Sequence, residues 1–217
     1  MLSARLIAVV AYVQATDVVA DIGSDHGYIP LYLANKGHPY VYASENKRGP
    51  YNRLKTAVSN KQAIKVALAD GLEDLPAAIN TVVIAGMGGT LIASILKSGA
   101  SNLQNVHKLI IAPHANESDV RQTLMTLNFT ISAEEVVYDA GKYYEIIVAL
   151  RGTTSYTANE VMFGPINLQT KSTTFIAKWG AERQRLEALL SNKTLSSQRK
   201  SEITTQINAI KCALKED

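Results

Sequence analysis

The sequence predicts an α/β protein: a seven-stranded, mostly parallel sheet flanked by helices and extended by a C-terminal helical coiled-coil hairpin. Three observations carry this. Five short apolar runs, at 18–22, 40–44, 63–68, 81–85 and 108–112, alternate with helix-forming segments, and such alternation builds a parallel sheet. Two more strand-like runs, 129–137 and 143–150, follow with no helix between them, so they pair as an antiparallel hairpin and reverse one strand. Finally, Phe175, Trp179, Leu186 and Leu190, then Ile203, Ile207, Ile210 and Leu214, recur at helical steps. Two amphipathic helices packed as an antiparallel pair satisfy that spacing.

The elements follow in order. Leu2, Leu6, Val9, Val10 and Val13 fall on one face of an opening helix. The strand 18–22 runs into a Gly-bearing turn and a helix over 28–36, which Gly37 ends. Glu45 closes the second strand, and Gly49-Pro50 opens the next helix, with proline in its first turn. The third strand stops at Asp70-Gly71. Residues 81–85 are apolar throughout, as befits a strand buried on both faces. Gly86-Met87-Gly88-Gly89 leads from it into a helix over 90–96. Pro113 stops the fifth strand, and 117–127 is helical. Asp139-Ala140-Gly141 supplies turn chemistry for the hairpin. Residues 151–159 read as a polar linker and Phe163-Gly164-Pro165 as a turn. Two domains are expected, 1–152 and 160–217.

Composition narrows the function classes. A hydrophobic fraction of 47% supports a core, and 19% charged residues argues against disorder. The single Cys212 excludes a disulfide framework and a Cys-based zinc site, and its apolar neighbours predict that it packs as a small hydrophobe. Four histidines, none at ligand spacing, predict no metal. The N-terminus has a short apolar run with no preceding basic region, and no run reaches the roughly 20 apolar residues of a membrane span. A cytoplasmic protein without a membrane partner is expected. Residues 1–150 carry 12 Lys and Arg against 13 Asp and Glu, whereas 151–217 carry 10 against 6. The tail is therefore the basic part, either as a solvated helix face or as a contact for nucleic acid.

The chemistry gathers at strand ends. Asp21 ends the first strand and Glu45 the second, 24 residues on. A carboxylate there can accept from both ribose hydroxyls. Asp70 can accept from an exocyclic adenine amine. The turn lacks G-x-G-x-x-G and carries Ser24, Asp25 and His26, so it suits a cationic, hydroxyl-rich ligand better than a pyrophosphate. S-adenosylmethionine, with its ammonium, sulfonium and ribose, is such a ligand. Five βα units and a closing hairpin are also the outline of a Rossmann-like class I methyltransferase. After the fourth strand, Gly86-Met87-Gly88-Gly89 has no proline and no aromatic. The Asn/Asp-Pro-Pro-aromatic motif that holds an exocyclic amine is absent, which points to a ring nitrogen instead. Such a nitrogen already has a lone pair, so proximity and alignment dominate over proton transfer.

Several stretches resemble the bacterial tRNA (adenine-22-N1)-methyltransferases, the TrmK family. They are 21–30, Ala43-Ser44-Glu45, Gly49-Pro50-Tyr51, Asp70-Gly71-Leu72, 84–89, 143–149 and Phe163-Gly164-Pro165. The resemblance implies a class I methyltransferase domain, a C-terminal coiled-coil domain, S-adenosylmethionine as donor and N1 of an adenosine in the D-loop region of tRNA as acceptor. Carried over, Asp21, Gly23, Ser24, Asp25 and His26 line the methionine end. Glu45 holds the ribose, Asp70 and Gly71 the adenine, and Gly86, Met87, Gly88 and Gly89 the methyl-transfer face, with Asn46 a further cofactor-binding residue. Asp25, Tyr28 and Met87 are the candidates nearest the chemistry. The family pattern after the fifth strand is Gln-Pro-Asn, whereas this chain has Ala112-Pro113-His114, with Asn116 beyond, and Gly27 replaces the usual alanine. His114 is read as an exposed loop residue. Arg183, Arg185, Lys193, Arg199 and Lys200 are candidate RNA contacts on the tail. Two other readings remain open at this point. One is a methyltransferase of a small molecule or protein, with the tail as a homodimerisation coil. The other is a nucleotide-binding module without activity.

Overall fold

The computed structural model describes residues 2–191 and 195–215. One seven-stranded sheet organises it. Its strands are β1 (Val19–Ile22), β2 (Val41–Glu45), β3 (Ile64–Leu68), β4 (Thr81–Ala85), β5 (Lys108–Ala112), β6 (Phe129–Asp139) and β7 (Lys142–Arg151), in the order β3-β2-β1-β4-β5-β7-β6. The first five are parallel, and β7 runs antiparallel to both β5 and β6. The expected mostly parallel sheet with one reversed strand is the fold observed. The strand order changes direction between β1 and β4, so the carboxyl ends of β1, β2 and β4 flank an open crevice.

Strand alternation sorts the core onto two faces. Ala20, Ile22, Val82, Ile84, Leu109 and Ile111 point to one side, where α4 (Gly89–Ser98) and α5 (Glu117–Thr126) cover them. Val19, Val83, Ile110 and Ala112 point to the other, beneath α1 (Ala4–Ala11), α2 (Tyr28–Asn35) and α3 (Arg48–Ala57). Ser3 caps α1 by accepting from the Leu6 amide, as an N-terminal serine does. Buried Lys108 reaches Asp17 at 2.5 Å and the Tyr12 carbonyl at 3.2 Å, tying the end of α1 to β5.

The hairpin is tighter than expected. Only Ala140 and Gly141, both at positive φ, separate β6 from β7. Two left-handed residues match the strands' right-handed twist. The polar linker is also shorter than 151–159, because β7 takes Arg151 and α6 (Ala158–Phe163) begins within it. A capping box starts α6: the Glu160 amide donates to the Thr157 hydroxyl, and the Glu160 carboxylate accepts from the Thr157 amide. Neither α6 nor α7 (Pro165–Thr170) is visible as periodicity, since each has six residues.

Helices α8 (Thr173–Leu190) and α9 (Ser197–Leu214) follow and pack together. Phe175, Trp179, Leu186, Ile203, Ile207 and Ile210 form their core, with Val136 of β6 and Phe163 of α6 included. The tail is therefore seated on the sheet's β6 edge. Cys212 corrects the expectation made for it: it is exposed, because the inward stripe of α9 passes through Ile210 and Ala213. Among the described residues, no helix is long and apolar enough to cross a membrane.

A buried charge network fastens the tail. Arg121 of α5 is fully buried, with Nε donating to Glu134 at 2.8 Å and Nη2 donating to Glu145. Its Nη1 donates to the carbonyls of Val161 and Met162 at 3.2 Å each. Lys178 of α8 reaches Glu145 and Glu117 at 2.6 Å each. Glu134 also accepts from the Ile166 amide at 3.0 Å, across Gly164. Gly164 has φ +91°, and a Cβ there would strike the Glu134 carboxylate, so the turn read from Phe163-Gly164-Pro165 needs its glycine.

Candidate active site

The site grows from the turn between β1 and α2. Asp21 sits at the buried end of β1, and Gly23 turns the chain at φ +72°. The amides of Gly23 and Ser24 both donate to the Ser44 carbonyl of β2, at 2.9 and 3.1 Å. The Asp25 amide donates to Glu45 Oε1 at 2.5 Å. Two strand ends are thus fixed together by backbone geometry. Asp25 itself receives Arg53 Nη2 at 2.9 Å and faces His26 Nδ1 at 2.8 Å. The Arg53 guanidinium, with His26 assisting, holds the Asp25 carboxyl below the usual carboxylate range. His26 stacks on Tyr28, ring centroids 5.5 Å apart.

A second knot joins the loops after β4 and β5. The His114 amide donates to the Met87 carbonyl at 2.8 Å, and the Gly89 amide to the Ala115 carbonyl at 2.7 Å. Asn116 reaches the Thr90 hydroxyl at 3.0 Å, which donates to Asp119 at 2.6 Å. A Cβ on Gly89 would collide with the backbone of Asn116. Gly88 and Gly89 consequently serve as the cap and first residue of α4 and line neither cavity described next.

Two cavities open at this edge. One, of about 550 Å³, is lined by Asp21, Gly23, Ser24, Asp25, His26 and Tyr28, with Gly86 and His114 opposite. The other, of about 180 Å³, is lined by Glu45, Asn46, Asp70, Gly71 and Met87, and it too touches Gly23. They meet where the Met87 methyl lies over Gly23, occupying the space a side chain at 23 would need. Asn46 Nδ2 donates to Asp70 Oδ1 at 3.1 Å and aims that carboxylate. Eleven of the expected cofactor residues therefore line two cavities that share Gly23, and Gly88 and Gly89 begin the helix beside them.

The electrostatics suit a cationic nucleoside. Burial raises the Asp21 carboxyl to about 7, with the Ser24 hydroxyl opposing and Glu45 adding to the rise. A cation beside it would relieve that cost. Burial also raises Glu45, despite the bond from the Asp25 amide. Buried Ser44 Oγ has no hydrogen-bond partner among the described residues and lines the smaller cavity, within reach of a polar ligand. The cleft's residues thus fit S-adenosylmethionine, with Asp21 toward the ammonium and Glu45 and Asp70 toward the adenosine.

The sequence reading overlooked the larger cavity's far wall. Leu2, Ser3, Arg5 and Leu6 of the N-terminal segment form it. Arg5 donates from Nη1 to His114 Nε2 at 3.3 Å and lies 5.0 Å from the Tyr144 ring centroid. Tyr144 meets His114 edge-on at 5.5 Å. Burial, then the charges of Arg5 and Lys142, push the His114 imidazole down, which leaves Nε2 free to accept. His114 is exposed, as read, yet it lines the cavity. The available signal was a lone arginine in an otherwise apolar helix.

The tail candidates lie elsewhere. Arg185 holds Glu182 with two bonds of 2.7 Å, Arg199 holds Glu202 at 2.9 Å, and Arg183 lies 3.7 Å from Glu187. Lys200 is exposed, and Lys193 lies outside the described residues. The apolar positions that could have served a dimer are buried within the chain, while Ile176 and Leu189 stay exposed on α8.

Comparison with known proteins agrees with this geometry. Residues 19–212 match the family TrmK, tRNA (adenine(22)-N(1))-methyltransferase. The chain is 32% identical to the tRNA (adenine(22)-N(1))-methyltransferase of Bacillus subtilis over 199 residues, covering 87% of this chain and 84% of that one. A Streptococcus pneumoniae protein solved in complex with S-adenosyl-L-methionine superposes with a TM-score of 0.92 at 36% identity, over 99% of this chain and 100% of that one. The TrmK of M. capricolum, solved with S-adenosyl-homocysteine, gives 0.88 at 26% identity, over 99% and 98%. The strand order, the paired carboxylates at one sheet edge and a match over nearly the whole chain agree: this protein belongs to the tRNA (adenine(22)-N(1))-methyltransferase family.

Proposed function

We infer that this chain transfers the methyl group of S-adenosylmethionine to N1 of adenosine 22 in tRNA. The observation that carries this reading is the meeting of two cavities at Gly23 and Met87. One bears the acids suited to an adenosine, the other the buried acid suited to an ammonium together with a wide mouth. Residues 1–152 act as the methyltransferase domain and 160–217 as the helical domain.

When bound, the cofactor supplies an electrophilic methyl on a sulfonium. The chain's residues hold and orient. Asp21 receives the ammonium, Glu45 the ribose hydroxyls and Asp70 the adenine amine, each as a hydrogen-bond acceptor. Ser24, Asp25 and His26 close the methionine end. The larger cavity's mouth receives the acceptor base, between the stacked pair His26–Tyr28 and the wall of Arg5 and His114, both of which Tyr144 contacts. Asp25 is committed to Arg53 and His26, so it is a fixed anion rather than a proton acceptor. Adenine N1 needs none, having a lone pair already. The N1-methylated base carries positive charge, which the Asp25 carboxylate offsets at the same mouth. Tyr28 and Met87 position the two reactants. Rate enhancement then comes from proximity and alignment. The acceptor is tRNA, in the cytoplasm, where it is processed.

The test is methyl transfer from labelled S-adenosylmethionine to unmodified tRNA, followed by nucleoside mapping. The expected product is 1-methyladenosine at position 22, absent when that adenosine is replaced by guanosine. Label on both substrates, or on neither, would sink the reading.

A further inference from the structure

We propose that the α3–β3 edge of the sheet, rather than the helical tail, is the principal surface that grips the sugar-phosphate backbone of the RNA. This rests on the tRNA reading above and names the surface that serves it. Residues 47–65 contain Lys47, Arg48, Arg53, Lys55, Lys61 and Lys65 and not one Asp or Glu. That is half of the Lys and Arg in residues 1–150, which otherwise carry an acidic excess. Lys65 lies on β3, and the other five lie on α3 or on the segments joining it to β2 and β3. Lys47, Arg48, Arg53, Lys55 and Lys65 are exposed and Lys61 is half-buried. Lys55, Lys61 and Lys65 surround one shallow groove of about 340 Å³, with Tyr51 at its side.

The patch is continuous with the active site. Lys47 lines the smaller cavity beside Glu45 and Asn46, and Arg53 is bonded to Asp25 at the larger one. From there the charge runs along α3, a ten-residue helix about 15 Å long. A polynucleotide with one base in the cleft must leave it somewhere, and the charge of this exit complements phosphate. The tail differs. Arg183, Arg185 and Arg199 each face a glutamate three or four residues away on their own helix, so their charge is already locally countered. An exposed ion pair of that kind is weak, yet it must be given up before a phosphate is gained. Lysines on an edge strand such as β3 also guard against sheet-to-sheet pairing, and the experiment separates that role from RNA contact.

The experiment compares the full chain with the triple variant Lys55→Gln/Lys61→Gln/Lys65→Gln, none of which lines the cofactor cleft. The KM for tRNA is measured across salt concentration, with S-adenosylmethionine affinity as the control for folding. Loss of three phosphate contacts should raise KM at least about tenfold at low salt and flatten the log–log salt slope by about two to three. Cofactor affinity should not change, and Lys→Arg at the same positions should restore both values. A parallel variant, Arg185→Gln/Arg199→Gln/Lys200→Gln, should change KM by less than the first. An unchanged KM and slope in the lysine variant, with or without new self-association, overturns the proposal while leaving the methyltransferase reading intact. A larger effect from the tail variant overturns it as well. A wild-type chain that methylates no tRNA at all overturns the reading it rests on, and the proposal with it.

Discussion

The Asp25 amide donates to Glu45 Oε1 at 2.5 Å, joining the turn after β1 to the last residue of β2. That bond aims the carboxylate and leaves it acceptor capacity for a diol. Glu45→Gln keeps an acceptor for the Asp25 amide but replaces the second oxygen with a donor. A charged hydrogen bond is worth about 1.5–3 kcal/mol, so S-adenosylmethionine affinity should fall roughly 10- to 100-fold. Calorimetric titration of the variant checks this, and an unaltered Kd would remove Glu45 from the ribose site.

Asp21 makes cofactor binding pH-dependent. Burial raises its carboxyl to about 7 in the free protein, and an ammonium ligand favours the ionised form. Below pH 7 a proton must leave before the ligand binds, so affinity should fall about tenfold per pH unit. The ligand's own α-amino group, ordinarily near 7.7–8.0, stays charged over that range. The sign for folding is the reverse of the usual carboxylate case. The native state binds the proton more tightly, so Asp21 costs stability as pH rises from about 4 to 7. Asp21→Asn should lose both dependences, read from Kd and Tm against pH.

Gly23 faces two constraints at once, φ +72° and the Met87 methyl. Gly23→Ala should cost about 1–3 kcal/mol from backbone strain alone, plus the clash. Adding Met87→Ala relieves the clash and leaves the strain. A double-mutant cycle on Tm should therefore show partial rescue, and full additivity would mean that Met87 has room to move away.

Arg121 is fully buried between Glu134 and Glu145. Arg121→Met leaves two carboxylates in the interior, with Lys178 facing only one of them. Removing one partner of such a pair costs about 3–5 kcal/mol, or a Tm drop of roughly 6–20 °C for a chain of this size. Thermal unfolding measures it. A drop below 2 °C would mean that water already reaches the network.

The sequence by itself determined the sheet, its hairpin, the acids at the ends of β1 and β2 and the glycine turns. Alternation of apolar runs and turn residues is local information, and strand ends follow from it. It also determined the family, because the motif at 21–30 and the Gly-Met-Gly-Gly loop are both contiguous stretches. Only the tertiary structure decided that α1 closes the larger cavity. It did so by bringing Arg5 to His114 and Tyr144, residues more than 100 positions away. Burial across such separations leaves no periodic trace in the chain. It likewise decided that Cys212 faces outward and that the apolar stripe of the tail is spent on Val136 and Phe163. Which side of a helix is covered depends on what packs there. The charge of residues 47–65 was legible all along, but its place beside the cleft required the fold.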